Sequence, residues 1–221
     1  AAQIGGTAFV VDVRDESSIK DLIEAVEDTI APIDLFCSNA GILTMGGFEV
    51  ANEEWQKIWD INVMSHVWAA RHLVPRMIER GGGYLLNTAS AAGLLNQIGD
   101  AAYSATKHAA VSFAESLTIT HGDQGIDVSV VCPQYVATPL LDMSDNTVTE
   151  GSLLSADDAA KLILEGIAKK DFLILPHPQV AGYFKVRGAD HPAWISGMKA
   201  LRRKFFRDSA AGDLKDMFKF V

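Results

Sequence analysis

Runs of consecutive apolar residues alternate along this chain with stretches of helical periodicity, and this alternation constrains the fold more than any other feature. Five runs rich in β-branched residues predict strands over residues 7–13, 33–38, 83–88, 126–132 and 171–175. Most of these runs are continuous in apolar character, which is typical of strands that are covered on both faces.

Four helices are predicted, each after a side chain that commonly caps a helix: after Ser17 or Ser18 to Ile30, after Asn52 to Arg80, after Asp100 to Gly122 and after Ser155 to Ala168. Pro75 should kink or interrupt the second helix, because proline lacks an N–H. Strands that alternate with helices predict an α/β fold, a doubly wound, Rossmann-like parallel sheet in three layers, α/β/α. Residues 1–221 are expected to form a single domain.

The composition excludes several classes of protein. A net charge of −9 argues against binding to nucleic acid or to an anionic membrane surface. Cys37 and Cys132 are too few for a disulfide scaffold, and with no histidine at ligand spacing they predict no metal site. The segment LPHPQV at 175–180 is interpreted as a strand exit and not as a metal loop. Two buried thiols in a reducing cytoplasm are expected, and no apolar run reaches the roughly 20 residues of a membrane span.

Small and polar residues follow three of the predicted strands where each strand ends. The sequences are SNAG at 38–41, TASAAG at 88–93 and PQYVATP at 133–139. The carboxyl ends of parallel strands share one edge of a sheet, where ligands bind, and small residues let a ligand approach the backbone. A binding site at this edge is one interpretation, and ordinary turns are the other, since Gly and Ser are common turn residues.

Tyr103 and Lys107 lie four residues apart in AAYSATKHAAV and therefore share one face of a predicted helix. A phenol has an ordinary pKa of about 10, and a neighbouring ammonium favours the phenolate, which makes the phenol a usable acid or base. The spacing alone is not specific, because a lysine stem also packs beside a half-buried tyrosine in structural roles.

Several motifs in a fixed order add specificity to this pair. They are Asp12 in VDVRD, SNAG at 38–41, Asn62 in WDINVMSHV, Ser90 thirteen residues before Tyr103, Lys107, and residues 133–138. With these motifs the chain resembles the short-chain dehydrogenase/reductase family across most of its length. The ordered set is specific, although no single motif is.

The resemblance implies catalytic roles for four residues. Tyr103 would exchange a proton with the substrate oxygen, and Ser90 would hold and polarise that oxygen. Lys107 would lower the pKa of Tyr103 and hydrogen-bond the nicotinamide ribose. Asn62 would interrupt regular helix bonding and support a water that links Lys107 to solvent; a plain asparagine on a helix surface is the alternative.

The resemblance also implies NAD or NADP as the cofactor. The implied contacts are Asp12 and Val13 at the adenine, Asn39, Ala40 and Gly41 beneath the adenosine ribose, Tyr103 and Lys107 at the nicotinamide end, and Pro133, Val136 and Thr138 beside the nicotinamide and phosphates. The choice between NAD and NADP is left open, because the residue that decides it in the family is expected upstream of Ala1.

Two departures from the family pattern are expected to matter. The segment AAQIGG at the start reads as a helix end, so the glycine-rich phosphate-binding turn and the first strand of the sheet are expected upstream. The usual Pro-Gly of the family is Pro133-Gln134 here. Glutamine is less permissive than glycine, so the nicotinamide loop or the access of substrate is expected to differ.

The sequence therefore predicts an NAD(P)-dependent oxidoreductase that interconverts a secondary alcohol and a ketone. A non-catalytic dinucleotide-binding sensor or scaffold on the same fold is the alternative. The substrate is expected to be moderately apolar, because no Arg or Lys occurs among the candidate pocket residues Leu94, Leu95, Gln97, Tyr135, Leu140, Leu141 and Met143. The family resemblance also implies a homodimer or homotetramer, and neither nucleic acid nor membrane is expected as a partner.

Overall fold

A parallel sheet of four strands forms the centre of the structure, a computed structural model that describes residues 1, 4–141 and 153–208. Its strands lie in the order β1 (Leu35–Ser38), β2 (Gly83–Thr88), β3 (Ile126–Val131) and β6 (Leu173–Ile174). A second, two-stranded parallel sheet pairs β4 (Tyr135–Val136) with β5 (Leu153–Leu154). The strand predicted over 83–88 has those bounds, and the other three strands of the main sheet are shorter than predicted.

Helices connect and cover the strands. They are α1 (Glu16–Thr29), α2 (Asn52–Trp59), α3 (Ser65–Glu79), α4 (Ala92–Leu95), α5 (Ala101–His121), α6 (Ala156–Lys169), α7 (Gln179–Ala189) and α8 (His191–Asp208). A π-helical segment, Asp60–Met64, joins α2 to α3. Within residues 1, 4–141 and 153–208, no helix combines the length and apolar character needed to cross a membrane.

Both faces of the main sheet are covered by helices. Leu85 and Val130 belong to a core formed with α1, α3 and α5, whereas Leu86 and Val131 pack against α6. Adjacent residues of a strand point to opposite faces, so each strand contributes to both cores. This arrangement confirms the predicted doubly wound, Rossmann-like fold.

The strand predicted over residues 7–13 is wrong, because no strand forms there. A strand needs a neighbour for its N–H and C=O groups, and β1 is the edge of the main sheet among the described residues. Val11 and Val13 still pack partly against the main core, whereas Val10 is fully exposed. The apolar character of this run therefore reflects the partial burial of Val11 and Val13 and does not indicate a strand.

Two of the four predicted helix caps are wrong. Asp15, in place of the predicted serines, caps α1, and its carboxylate accepts the N–H of Ser17 at 3.0 Å. Asn52 is itself the first residue of α2. Asp100 occupies the cap position of α5 as predicted, although its side chain makes no capping bond. Ser155 caps α6 as predicted, with its hydroxyl accepting the Asp158 N–H.

The long helix predicted over 53–80 is interrupted, but not at Pro75. Helix α3 runs through Pro75, and regular α-helical bonding is broken earlier, at Asp60–Met64. A π-helical turn inserts one residue into a helix and is frequent at functional sites. The inserted turn contains Asn62, which is fully buried.

The main core should depend on Leu73 of α3, which is completely buried. The Leu73→Ala variant should lower the free energy of unfolding by about 2–5 kcal/mol, because it removes apolar contacts and leaves a cavity. The control is Leu164→Ala at an exposed position of α6, which should change that free energy by less than about 0.5 kcal/mol. Urea denaturation measures both, and equal losses would contradict the packing described above.

Candidate active site

A cavity of about 440 Å³ lies at the carboxyl ends of β1, β2 and β3, and we call it the strand-end cavity. Its wall combines residues that follow these three strands with residues of α5 and α6. Eight of the predicted site residues line it: Asn39, Gly41, Ser90, Tyr103, Lys107, Pro133, Val136 and Thr138. The polar and small residues at the three strand ends thus meet in one site, as predicted from their positions.

Lys107 brings a buried ammonium to this cavity. Its Nζ donates a hydrogen bond to the carbonyl oxygen of Thr88 at 2.9 Å and lies 5.6 Å from the centre of the Tyr103 ring. Burial lowers the pKa of Lys107 to about 8, because a cation removed from water loses its hydration. The predicted sharing of one helix face by Tyr103 and Lys107 is confirmed.

Tyr103 and Ser90 place two hydroxyl groups in the same cavity wall. Burial raises the pKa of Tyr103 to about 12, and a hydrogen bond from the Ser90 side chain acts in the opposite direction. Lys107 was expected to lower this pKa, but its ammonium bonds to Thr88 and burial prevails. The Ser90 hydroxyl also accepts the N–H of Ala92 at 3.1 Å, which holds it at the start of α4.

Asn62 lies outside the cavity wall and fixes the backbone that follows β1. Its Oδ1 accepts the N–H of Ile42 at 2.9 Å, and its Nδ2 donates to the Ile42 carbonyl and to Thr106 Oγ1. A Cβ added at Gly41 would lie 3.4 Å from both Asn62 Oδ1 and Lys107 Nζ. Asn62 is therefore a buried residue that holds the backbone at Ile42 against α5, and the alternative of an asparagine on a helix surface is excluded.

Three of the residues implied to contact the cofactor lie outside this cavity wall. Asp12 forms an exposed salt bridge with Arg14 at 2.6 Å, and the hydrogen bond from that guanidinium lowers the pKa of Asp12 to about 2. Val13 packs against the main core, and Ala40 is not part of the wall. The structure thus gathers the residues implied at the nicotinamide, but not those implied at the adenine.

A second cavity, also of about 440 Å³, adjoins the first, and we call it the apolar cavity. Four residues line both cavities: Ser90, Gln97, Gln134 and Tyr135. Helices α7 and α8 cover the apolar cavity with side chains such as Tyr183, Trp194 and Leu201. Of the described residues that line it, none carries a charge.

The predicted pocket residues divide between the two cavities. Leu95 lines the apolar cavity, and Leu140 lines the strand-end cavity. Gln97 and Tyr135 line both, and Leu94 lines neither. The Leu141 side chain and Met143 lie outside the described part of the chain.

Asp100 carries a buried carboxyl group beside the site. From the sequence, this residue was predicted only to cap a helix. Its Oδ1 accepts the Ser104 hydroxyl at 2.7 Å, whereas its Oδ2 has no hydrogen-bond partner in the part of the chain that the structure describes. Burial raises the pKa of Asp100 to about 7. Its charge in turn raises the pKa of both Tyr103 and Tyr135. Its position in the sequence, three residues before Tyr103, was the feature that could have indicated a carboxyl group near the site.

His177 and Gln179 are a second polar group that the sequence reasoning missed. They bond to Gln134, more than forty residues away in the chain. The only sequence signal was a histidine between two prolines after the last strand of the sheet. Across the residues that the structure describes, no three His, Cys, Asp or Glu side chains form a group that could hold a metal ion.

Comparison with known proteins identifies the family. The model of the family described as short chain dehydrogenase matches residues 2–148, and the chain therefore belongs to this family. A solved structure of a short chain dehydrogenase/reductase from Burkholderia phymatum, in complex with NAD, superposes with a TM-score of 0.77 at 27% identity. That match covers 87% of this chain and 79% of the Burkholderia chain.

Two relatives illustrate the degree of similarity. The 1-deoxy-11-beta-hydroxypentalenate dehydrogenase of Streptomyces exfoliatus is 35% identical, with 76% of this chain and 63% of the relative covered. The D-beta-hydroxybutyrate dehydrogenase of Rhizobium meliloti is 29% identical, with 84% of this chain and 72% of the relative covered. The chain thus spans less than two thirds of the length of the Streptomyces relative.

Asp100→Asn should change how stability depends on pH. In the wild type, stability should fall as the pH rises from about 4 to about 7, because the raised pKa means that the folded protein resists ionisation of the buried carboxyl. The amide of the variant cannot ionise, so this fall should disappear and the variant should be more stable by about 1–4 kcal/mol at pH 8.

Urea denaturation at acidic and at alkaline pH measures this difference. The control is Asp123→Asn, an exposed position after α5, which should keep the wild-type profile. A wild-type profile in Asp100→Asn itself would show that this carboxyl is not the group that titrates.

Proposed function

We propose that this chain is an NAD(P)-dependent oxidoreductase that interconverts a secondary alcohol and a ketone. The observation that carries the proposal is the convergence of the Ser90 hydroxyl, the Tyr103 phenol and the Lys107 ammonium on one cavity wall. The relatives from Streptomyces exfoliatus and Rhizobium meliloti are named as dehydrogenases, which supports an oxidoreductase reaction.

The strand-end cavity is proposed to hold the nicotinamide end of the cofactor, either NAD or NADP. Gly41 leaves the backbone bare where a side chain would approach Lys107 Nζ, so a ligand can lie close to the main chain. An ammonium has three donors, and the Thr88 carbonyl uses one of them, which leaves donors for a ribose hydroxyl. The related Burkholderia structure in complex with NAD supports this cofactor class.

The proposed cofactor contacts are those that the family resemblance implies for each motif. In this proposal the adenosine ribose lies above Asn39, Ala40 and Gly41, and the nicotinamide and phosphates are flanked by Pro133, Val136 and Thr138. Tyr103 and Lys107 lie at the nicotinamide end. Asp12 and Val13, which lie outside the strand-end cavity, are proposed contacts of the more distant adenine.

Proton transfer is assigned to Tyr103. The bound nicotinamide supplies or accepts the hydride in this chemistry. A phenol with a pKa of about 12 is protonated at neutral pH, so it can donate its proton to a ketone oxygen as that oxygen becomes an alkoxide. Ser90 hydrogen-bonds the same oxygen and stabilises its developing charge. The Lys107 ammonium adds positive charge near the phenol.

The substrate is proposed to be an uncharged and largely apolar alcohol or ketone. The apolar cavity meets the strand-end cavity at Ser90, so a molecule in the apolar cavity reaches the reactive wall. Its described lining residues are uncharged, and a charged substrate would lose hydration there without a partner.

A non-catalytic sensor or scaffold is the other hypothesis that the sequence leaves open. A sensor or scaffold would not need a lysine buried beside Tyr103. Well-packed apolar side chains stabilise an interior at least as well as buried charges do. We therefore favour catalysis, and the variant described below separates the two hypotheses.

We also propose that the protein acts in the cytoplasm as a homodimer or homotetramer. Cys37 and Cys132 are both free thiols, as is usual in a reducing compartment. Cys132 is buried as predicted, but the prediction is wrong for Cys37, which is exposed. Trp59 of α2 and Ile119 of α5 are exposed apolar side chains that contact with a second subunit would cover. Sedimentation velocity tests the assembly, and a monomer would contradict it.

Tyr103→Phe should lower kcat by about 100-fold or more, because it removes the proton-transferring oxygen and keeps the ring. The affinity for the nicotinamide cofactor, measured by fluorescence titration, should stay within a few-fold of the wild-type value. Turnover is followed by nicotinamide absorbance with the full-length protein, both cofactors and a panel of alcohols. Tyr84→Phe, at a tyrosine outside both cavities, is the control and should keep wild-type turnover. Near-normal rates in Tyr103→Phe would exclude the mechanism.

A further inference from the structure

Gln134 occupies a central position between the two cavities. It lines both of them, at the point where Ser90 and Tyr135 also line both. Its side-chain Oε1 accepts a hydrogen bond from Gln179 Nε2 at 3.0 Å. In this arrangement the amide oxygen of Gln134 faces Gln179, and its Nε2 group faces away from Gln179.

His177 holds the backbone of the same residue. The main-chain N–H of Gln134 donates to His177 Nδ1 at 3.0 Å, and His177 Nε2 lies 3.0 Å from the carbonyl oxygen of Tyr135. A backbone N–H can only donate and a carbonyl can only accept, so Nδ1 is the acceptor and Nε2 carries the hydrogen. His177 is 2% exposed, and its ring therefore clamps two successive residues from inside the protein.

The clamp leaves one polar group of Gln134 unused. Among the residues that the structure describes, Gln134 Nε2 has no hydrogen-bond partner. The adjoining apolar cavity is lined by uncharged and mainly apolar residues. An unpaired donor beside such a cavity favours a ligand that places an oxygen opposite it, and disfavours a ligand that covers it with hydrocarbon.

We propose that Gln134 is a specificity-determining residue, whose Nε2 donates a hydrogen bond to a second oxygen of an uncharged, otherwise apolar substrate. His177 and Gln179 are the positioning residues that hold this donor in place. The second oxygen is distinct from the reacting one, which Ser90 and Tyr103 bind. This inference rests on the proposed function and names the substrate class more closely, as a bifunctional ketone or alcohol.

The experiment compares two bicyclic ketones that differ by one carbonyl group, 1-decalone and decalin-1,5-dione. Calorimetry measures the binding of each to the full-length protein with the oxidised cofactor bound, a combination in which a ketone cannot be reduced. The wild type should bind the dione about fivefold to tenfold more tightly, the contribution of one neutral hydrogen bond.

Two substitutions at position 134 test the donor itself. Gln134→Leu removes the polar group, and the matched Gln134→Glu keeps an oxygen for Gln179 but has no donor. Both should bind the two ketones with nearly equal affinity. Binding of 1-decalone to Gln134→Leu should stay within about threefold of the wild-type value, because the cavity keeps its apolar lining.

Two substitutions at position 177 test the positioning role. His177→Gln keeps one acceptor and one donor in the side chain and should keep most of the preference for the dione. His177→Phe has neither and should lose it. A His177 that only stabilised the fold would weaken the binding of both ketones equally in His177→Phe, without changing their ratio.

The outcomes are decisive in each direction. A wild type that binds the two ketones equally, or binds neither, overturns the inference, as does a Gln134→Leu variant that keeps the preference. Turnover with the reduced cofactor separates the two proposals. A Gln134-dependent preference in binding without reduction of either ketone refutes the proposed function alone. Reduction of both ketones without that preference refutes this inference alone.

Discussion

Lys107 holds an ammonium group in the interior, where its Nζ donates to the Thr88 carbonyl at the end of β2 and lies above the ring of Tyr103. This single side chain links α5 to the sheet edge. Burial lowers its pKa from 10.5 to about 8, which corresponds to about 3 kcal/mol against the folded state at neutral pH. That penalty is present below pH 8 and disappears as the pH rises toward 10.5. The proposed role of Lys107 at the cofactor gives a reason for retaining a buried cation at this cost.

Close packing around Lys107 keeps the rest of the site in register. A Cβ at Gly93 would lie 2.5 Å from the Lys107 carbonyl oxygen, so α4 contacts α5 directly and the Ser90 hydroxyl stays near Tyr103. On another side, Asn62 bonds to Thr106, the residue before Lys107, and to the backbone after β1. The geometry of the proposed site depends on these contacts, and a small residue, Gly93, permits the close approach of α4 to α5.

The local features of the fold and site could be predicted from the sequence. The strand at residues 83–88 is buried by helices on both sides, so its apolar run has the same bounds as the strand. Tyr103 and Lys107 share a face because helical periodicity alone determines it. The segment 7–13 has a similar apolar run and forms no strand, since pairing depends on a neighbour that the run itself does not encode.

Long-range features could not be predicted in this way. The contact between Gln134 and His177 joins residues 43 positions apart, and no local pattern near either residue indicates the other. The effect of burial on the pKa of Tyr103 likewise depends on the packing of the surrounding elements. A tyrosine and a lysine at helical spacing indicate that the two side chains are close, but not which of their interactions prevails.

The most direct test is a crystal structure of the full-length protein with a nicotinamide dinucleotide bound. The account predicts that the nicotinamide occupies the cavity lined by Ser90, Tyr103 and Lys107, with the Lys107 ammonium bonded to the adjoining ribose. A nicotinamide bound elsewhere, or a Tyr103 hydroxyl turned away from it, would contradict the assignment of this cavity as the active site.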